Sequence, residues 1–198
     1  MPIISAILSA AGMSTRMGRP KPLLEWHGVP LVEYQVFSLT DAGVDDVLVV
    51  LGHNADEVSL AVEITPARWV LNPDYEKGKT TSIKTGLMSI HPSADAILLL
   101  AVDQPRTSEI VSQVVNAHVA NGALITSPRY QGHGGHPLIF DGSLKPELER
   151  ICEGNQGLRE VFAAHRGDVF ELPIDDPMIQ LDLNTPEAYE EAKRVYHA

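Results

Sequence analysis

An α/β domain built on a mostly parallel sheet, with helices on both faces, is the fold class this sequence predicts. Three observations point to it. Strand-like and helix-like segments alternate through at least the first 125 residues, the order that crossover connections impose on parallel strands. Two strand candidates, Val47-Leu48-Val49-Val50-Leu51 and Ala96-Ile97-Leu98-Leu99-Leu100-Ala101-Val102, are unbroken apolar runs, the mark of strands covered on both faces. At 198 residues, 44% apolar and 21% charged, the chain is large enough for one real core and too apolar for disorder. A single domain over residues 1–198 is expected.

The elements follow in order. Ile3 to Leu8 reads as a short buried strand. Val29-Pro30-Leu31 opens a helix with Leu31, Val32, Val36, Leu39 and Ala42 near helical spacing and Gly43 as its stop. After the Val47–Leu51 strand, Gly52-His53-Asn54 has turn chemistry and Ala55–Val62 is a short helix. Trp69–Leu71 is a third strand, closed by Asn72-Pro73. Gly78 precedes a helix over about Thr81–Ile90, with Ile83, Leu87 and Ile90 on one face. The Ala96–Val102 strand ends on Asp103-Gln104-Pro105, and Thr107 or Ser108 caps a helix that runs to Asn121 and stops at Gly122. Leu124–Thr126 is again a strand. The second half is less regular: a glycine-rich loop at Gln131–Gly135, a strand at Pro137–Phe140, helices at Leu144–Cys152 and Leu158–His165, and strands at Val169–Ile174 and Ile179–Leu183. Thr185 caps a final helix with Pro186 in its first position.

Composition excludes several functions. The formal charge of −11 argues against general nucleic-acid binding, which leans on a basic footprint. No apolar run approaches the ~20 residues of a membrane span. The N-terminus, Met1-Pro2-Ile3-Ile4, is expected to carry no signal peptide, having no basic region and no signal-peptide pattern. Cys152 is the only cysteine. It permits no intramolecular disulfide, fits a reducing cytoplasm, and in its apolar helical pattern reads as core filling.

An anionic protein that handles an anionic substrate must do so through a local cationic cluster and a metal. The densest such cluster follows the first strand: Arg16, Arg19 and Lys21 lie within six residues, beside Gly12 and Gly18. The glycines are expected to supply positive φ and to let backbone N–H groups approach a ligand. This suits a polyanion such as a nucleoside triphosphate. It also suits a tight strand-to-helix turn with solvated cations. Five residues separate the glycines and no Lys-Ser/Thr follows, so the loop is neither a P-loop nor a dinucleotide fingerprint. In parallel sheets, ligands bind beyond the carboxyl ends of the strands, where both this loop and Asp103 fall.

The stretch Ala10-Ala11-Gly12-x-Ser14-x-Arg16-Met17-Gly18-x-x-Lys21-x-Leu23-Leu24 resembles the signature loop of the MobA-like nucleotidyltransferases, and is most similar to the molybdenum cofactor cytidylyltransferases among them. Five further stretches resemble the same family in the same order: Asn72-Pro73-Asp74-Tyr75-x-x-Gly78-x-x-x-Ser82-Ile83, Asp103-Gln104-Pro105, Gly135-His136-Pro137, Gly154-Asn155-Gln156-Gly157-x-Arg159 and Leu183-Asn184-Thr185-Pro186-Glu187. The resemblance implies a three-layer Rossmann-like nucleotidyltransferase fold, with a nucleotide-binding half over 1–105 and an acceptor-binding half over 106–198. It implies transfer of CMP from CTP (or another NTP) to the phosphate of a molybdopterin-type acceptor, with Mg²⁺ as cofactor, in service of a molybdenum hydroxylase.

The same resemblance assigns roles. Ala10, Ala11, Gly12 and Met13 would hold the triphosphate, and Asn72, Gly78 and Ser82 the base. Arg16 and Lys21 would stabilise charge on the phosphates; Arg19 is either a further contact or a solvated neighbour. Gly135, His136, Pro137 and Arg159 would meet the acceptor. Asp103 would hold the metal. Where relatives carry a second metal carboxylate this chain has Asn184, so either Asn184 or Asp182 would complete the metal site. A Cβ at residue 11 narrows the space for a purine and favours CTP. The pair His133-x-x-His136 lacks a nearby Cys or Glu and reads as pocket lining rather than a metal site. Two other readings stay open: a sugar- or polyol-phosphate nucleotidyltransferase, and a maturation chaperone that binds the cofactor without transfer.

Overall fold

The computed structural model describes residues 2–198. Ten strands and seven helices follow one another as β1 (Ile4–Ala10), β2 (Glu25–Trp26), β3 (Val29–Pro30), α1 (Leu31–Asp41), β4 (Asp46–Leu51), α2 (Ala55–Glu63), β5 (Arg68–Leu71), α3 (Lys79–Leu87), β6 (Ala96–Ala101), α4 (Ser108–Asn121), β7 (Ile125–Tyr130), β8 (His133–Gly134), β9 (Leu138–Asp141), α5 (Lys145–Leu148), α6 (Leu158–Ala164), β10 (Val169–Pro173) and α7 (Pro186–Tyr196). The main sheet runs β10-β7-β9-β6-β1-β4-β5, with β8 hairpinned onto β7. Pairings β1·β4, β1·β6, β4·β5 and β7·β10 are parallel; β9 enters antiparallel between β6 and β7. The expected three-layer, mostly parallel α/β architecture is what the chain adopts. None of its described helices is long and apolar enough to cross a membrane.

The two-residue alternation of strand side chains divides the core. Ala6, Leu8 and Ala10 of β1 pack with Val36, Leu39, Val58, Val111, Val114 and Tyr189 on one face. Ile7, Leu48, Val50, Ile97 and Leu99 meet Ile83, Leu87, Leu148 and Val161 on the other. Gly86 lets α3 approach closely, since a Cβ there would lie 2.5 Å from the Ile7 Cγ2 atom. Adjacent β1 and β6 run in register, Ser9 opposite Ala101, so their carboxyl ends bring the residue 11–21 loop and Asp103 to one rim.

Three expectations need correction. Helix α3 begins at Lys79, two residues earlier than expected, because Gly78 makes the turn at φ 116° and frees the chain to coil at once. The expected helix over Leu144–Cys152 is only α5; Cys152 lies beyond it, half-buried, at the start of a short 3-10 turn. The expected strand at Ile179–Leu183 does not form. Pro177–Gln180 is a 3-10 turn, begun by Asp176 accepting a bond from the Met178 amide at 2.8 Å, and the carbonyls of Ile179 and Leu181 are taken by a buried arginine rather than by a strand.

Candidate active site

A cleft of about 480 Å³ opens at the carboxyl ends of β1 and β6. Its wall includes Ala10, Ala11, Gly12, Met13, Arg16 and Lys21 from the first loop, Gly78, Lys79 and Ser82 from the start of α3, and Asp103, His136 and Asn184.

The first loop is shaped by its own backbone. Ser14 sits at φ 52° and Gly18 at φ 67°; Gly12, expected to need positive φ, does not. A Cβ at Gly12 would meet no atom within 4 Å, so neither its backbone angle nor a close neighbour requires glycine at this position. The Met17 amide bonds to the Ser14 carbonyl at 2.9 Å, and the Ser14 hydroxyl accepts the Lys21 amide at 3.0 Å. The Ala11 carbonyl accepts the His53 amide at 3.2 Å. Gly52 fits tightly beneath: a Cβ there would stand 2.8 Å from both the Cβ and the oxygen of Ala11. The amides of Gly12 and Met13 have no intramolecular acceptor among the described residues, leaving donors for an anion. The three cations divide. Arg16 and Lys21 face the cleft, whereas the Arg19 guanidinium lies over the Tyr189 ring at 5.5 Å, a cation–π contact on α7.

Lys21 Nζ donates to Asp103 Oδ2 at 2.6 Å and to Asn184 Oδ1 at 3.0 Å. Two hard oxygens, one anionic, thus already converge on a positive charge. That donor set fits a divalent cation completed by phosphate and water oxygens. Asp103 and Asn184 are the residues that would hold it. No group of three or more His, Cys, Asp or Glu side chains gathers as a metal site among the described residues. Asp182 lies outside the cleft wall; burial, then the charge of Asp103, push its carboxyl up. Of the two candidates, Asn184 is the one whose side-chain oxygen meets the Lys21 ammonium beside Asp103.

The base segment is held from behind. Asn72 is buried and does not line the cleft. Its amide donates to the hydroxyls of Thr81 at 2.9 Å and Ser82 at 3.0 Å, while its oxygen takes the Asp74 amide at 3.0 Å. It orients Ser82 from behind the cleft wall. Gly78 is required by its φ of 116°, and Glu153 Oε1 lies against it and accepts the Thr80 amide at 2.8 Å. Neither Glu153 nor Lys79 drew notice in the sequence; the only signal was the helix start itself, which lacks an acidic residue of its own.

On the remaining wall, His136 lines the cleft but Gly135, Pro137 and Arg159 do not. Gly135 is buried because a Cβ would meet the Ile179 carbonyl at 2.5 Å, and Pro137 is buried behind it. Arg159 points from the exposed first turn of α6, and its neighbour Leu158 lines the cleft instead. Burial, reinforced by the Arg106 charge, pulls the His136 imidazole down to about 4, so it is neutral at pH 7. Arg106 itself is fully buried. Burial draws it down to about 9, still cationic at neutral pH.

A mostly parallel sheet with a cation loop and a carboxylate paired at the carboxyl ends of its strands is the place where open α/β proteins bind their ligands. The chain belongs to the family of the MobA-like NTP transferase domain, whose model matches residues 6–169. It is 33% identical to nicotine blue oxidoreductase of Paenarthrobacter nicotinovorans, over 94% of this chain and 95% of that one. It is 25% identical to the molybdenum cofactor cytidylyltransferase of Escherichia coli K12, over 99% and 98%. Among solved structures it is similar to Rv0371c of Mycobacterium tuberculosis H37Rv, at TM-score 0.85 and 27% identity, covering 98% of each chain. That protein has also been solved in complex with manganese.

Proposed function

We propose that the chain is a Mg²⁺-dependent nucleotidyltransferase that moves CMP from CTP to the phosphate of a molybdopterin-type acceptor and releases pyrophosphate, in a reducing cytoplasm, for a molybdenum hydroxylase. The observation that carries this reading is the convergence of Lys21, Asp103 and Asn184 on one point within reach of the Gly12 loop. The manganese complex of a related structure and the cytidylyltransferase relative support it.

In this reading the acceptor's phosphate oxygen attacks the α-phosphorus in line and the α–β bridging oxygen leaves with pyrophosphate. The protein positions and neutralises rather than reacting covalently. Residues 1–105 bind nucleotide and 106–198 bind acceptor. The free amides of Gly12 and Met13 hold the terminal phosphates. Arg16 meets charge as it develops on the leaving group, and Lys21 swings from Asp103 to the α-phosphate. Asp103 and Asn184 hold the metal, which when bound offsets phosphate charge. Ser82 and Gly78 read the base edge, positioned by Asn72 and Glu153, and the Ala11 methyl disfavours a purine. His136, neutral, and Leu158 flank the acceptor. Lys79 adds a cation at the mouth.

Pyrophosphate release with CTP or GTP, against molybdopterin-type, sugar-phosphate and polyol-phosphate acceptors, tests the reading. Release with CTP and the pterin acceptor supports it; release with a sugar phosphate alone transfers the activity to that substrate class; tight acceptor binding without release supports a chaperone. One relative supports a second reading: the 33% identical protein is named an oxidoreductase. Oxidation or reduction of nicotine blue by the chain, without pyrophosphate chemistry, would assign the same cleft a redox role.

A further inference from the structure

Arg106 is a charged side chain of the deep interior that the nucleotide reading leaves unused. It is 0% exposed, yet its guanidinium donates only to backbone carbonyls. Nε bonds to His136 O at 2.9 Å, Nη1 to Pro105 O at 2.6 Å and Leu181 O at 3.1 Å, and Nη2 to Ile179 O at 2.7 Å. Its own amide bonds to Gln35 Oε1 at 3.2 Å, and Gln35 Nε2 returns to Gln104 O at 2.6 Å. One planar group therefore ties three segments. The first is the turn after β6, with Asp103. The second is the bend before β9, with His136. The third is the irregular stretch before α7, with Asn184. Two cross-bonds complete the tie: the His136 amide to Ile179 O at 2.8 Å and the Leu183 amide to Asp103 O at 2.8 Å.

Two physical points separate this from ordinary packing. A buried cation without a contacting carboxylate is costly, and an apolar side chain of similar volume would fill the space at less cost. What it could not do is satisfy four carbonyls at fixed angles, which the guanidinium fork does. Second, the tied carbonyls belong to one wall only. None comes from the residue 11–18 loop or from the Asn72–Ser82 segment. Arg106 builds that wall from within, and Lys21, bonded to Asp103 and Asn184, joins the first loop to it.

We propose that Arg106 is the positioning residue of the metal and acceptor wall: its fork holds Asp103, His136 and Asn184 in register with one another, through bonds in which the loop that receives the triphosphate takes no part. The CTP-affinity and kinetic parts of the test rest on the nucleotidyl-transfer reading; the hydrogen-exchange part does not.

The test uses the full chain with Arg106→Met and Arg106→Lys. Amide hydrogen exchange is followed at His136 and Leu183 and, as control, along β1. CTP affinity is measured by calorimetry without divalent metal, and transfer by steady-state kinetics. In Arg106→Met, exchange at the His136 and Leu183 amides rises at least about tenfold while β1 is unchanged. Metal-free CTP affinity stays within about twofold, and kcat/KM for the acceptor falls about 10–100-fold. Arg106→Lys, which keeps the charge and part of the bonding, recovers some of that loss. Should Arg106→Met fail to fold, Arg106→Lys carries the same measurements. Wild-type exchange at the two amides, or a loss of CTP affinity equal to the loss of transfer, overturns the proposal. A wild-type protein that binds CTP but transfers nothing refutes the nucleotidyl-transfer reading instead, and the exchange and affinity measurements still decide Arg106.

Discussion

Replacing Asp103 by Asn preserves side-chain shape and the 2.8 Å bond from the Leu183 amide to the Asp103 carbonyl, and removes one negative charge. That charge meets Lys21 at 2.6 Å, with the two side chains 19% and 12% exposed. An exposed ion pair contributes about 0–1 kcal/mol and breaking a fully buried one costs about 3–5 kcal/mol, so a pair at this depth is worth about 1–2 kcal/mol. For a domain of this size that lowers Tm by about 2–8 °C. The cost to turnover is larger. The oxygens left to face Lys21 would then be uncharged amide oxygens, that of Asn184 among them. Losing a preorganised charge partner in such a site costs about 3–4 kcal/mol, or 10²–10³ in kcat. The assay is pyrophosphate release across a Mg²⁺ series, with thermal melts beside it. The expected variant is folded, slightly less stable, and nearly inactive at any Mg²⁺ concentration. Turnover within about threefold of wild type, with the same Mg²⁺ dependence, would refute the reasoning.

Arg16→Ala should lower kcat by about 10²-fold while shifting the CTP dissociation constant by less than about fivefold, because its contact strengthens as charge develops. Equal losses in steady-state kinetics and calorimetry would show ordinary ground-state binding instead. Gly52→Ala places a Cβ 2.8 Å from the Ala11 oxygen and the Tyr75 Cβ; overpacking of about 1–3 kcal/mol should lower Tm by roughly 2–12 °C and weaken CTP binding through the displaced loop. An unchanged melt would mean the loop relaxes freely. Acid should destabilise the fold through His136. Its folded value, about 4, lies below the ordinary 6.5, so between those values the unfolded chain binds the extra proton. Stability therefore rises from pH 4 to 6.5 and is lost on acidification through that window, by up to about 3 kcal/mol. His118, held neutral by burial, acts in the same direction. Urea melts at pH 7 and 4.5 should show a smaller pH effect in His136→Gln than in wild type; an equal effect rules His136 out as the source.

The candidate site was legible in the sequence where its chemistry depends on residue type near the end of a strand. Lys21, Asp103, Ser82 and His136 all reach the cleft because strand ends and short loops leave little freedom. Asn72, Gly135 and Pro137 come from equally recognisable motifs, yet they stand behind the wall. A motif marks a constrained position, and a buried amide that orients Ser82 is as constrained as a ligand contact. Asp182 and Asn184 differ by two residues, and only the irregular backbone between the Pro177–Gln180 turn and α7 decides which one faces Lys21.

The sequence by itself determined the layer order, because unbroken apolar runs can be buried only between two layers of helices, and it determined the cation loop, because the charges that oppose the net −11 sit within a few residues. Tertiary structure alone decided what supports each wall of the cleft. Arg106, Glu153 and Gly52 act on partners 30 to 75 residues away in the case of Arg106, 73 in the case of Glu153 and 41 in the case of Gly52, counted from Ala11 to Gly52. Their chemistry is ordinary at each position; it becomes specific only when the sheet brings carbonyls from distant segments within hydrogen-bonding distance of one guanidinium.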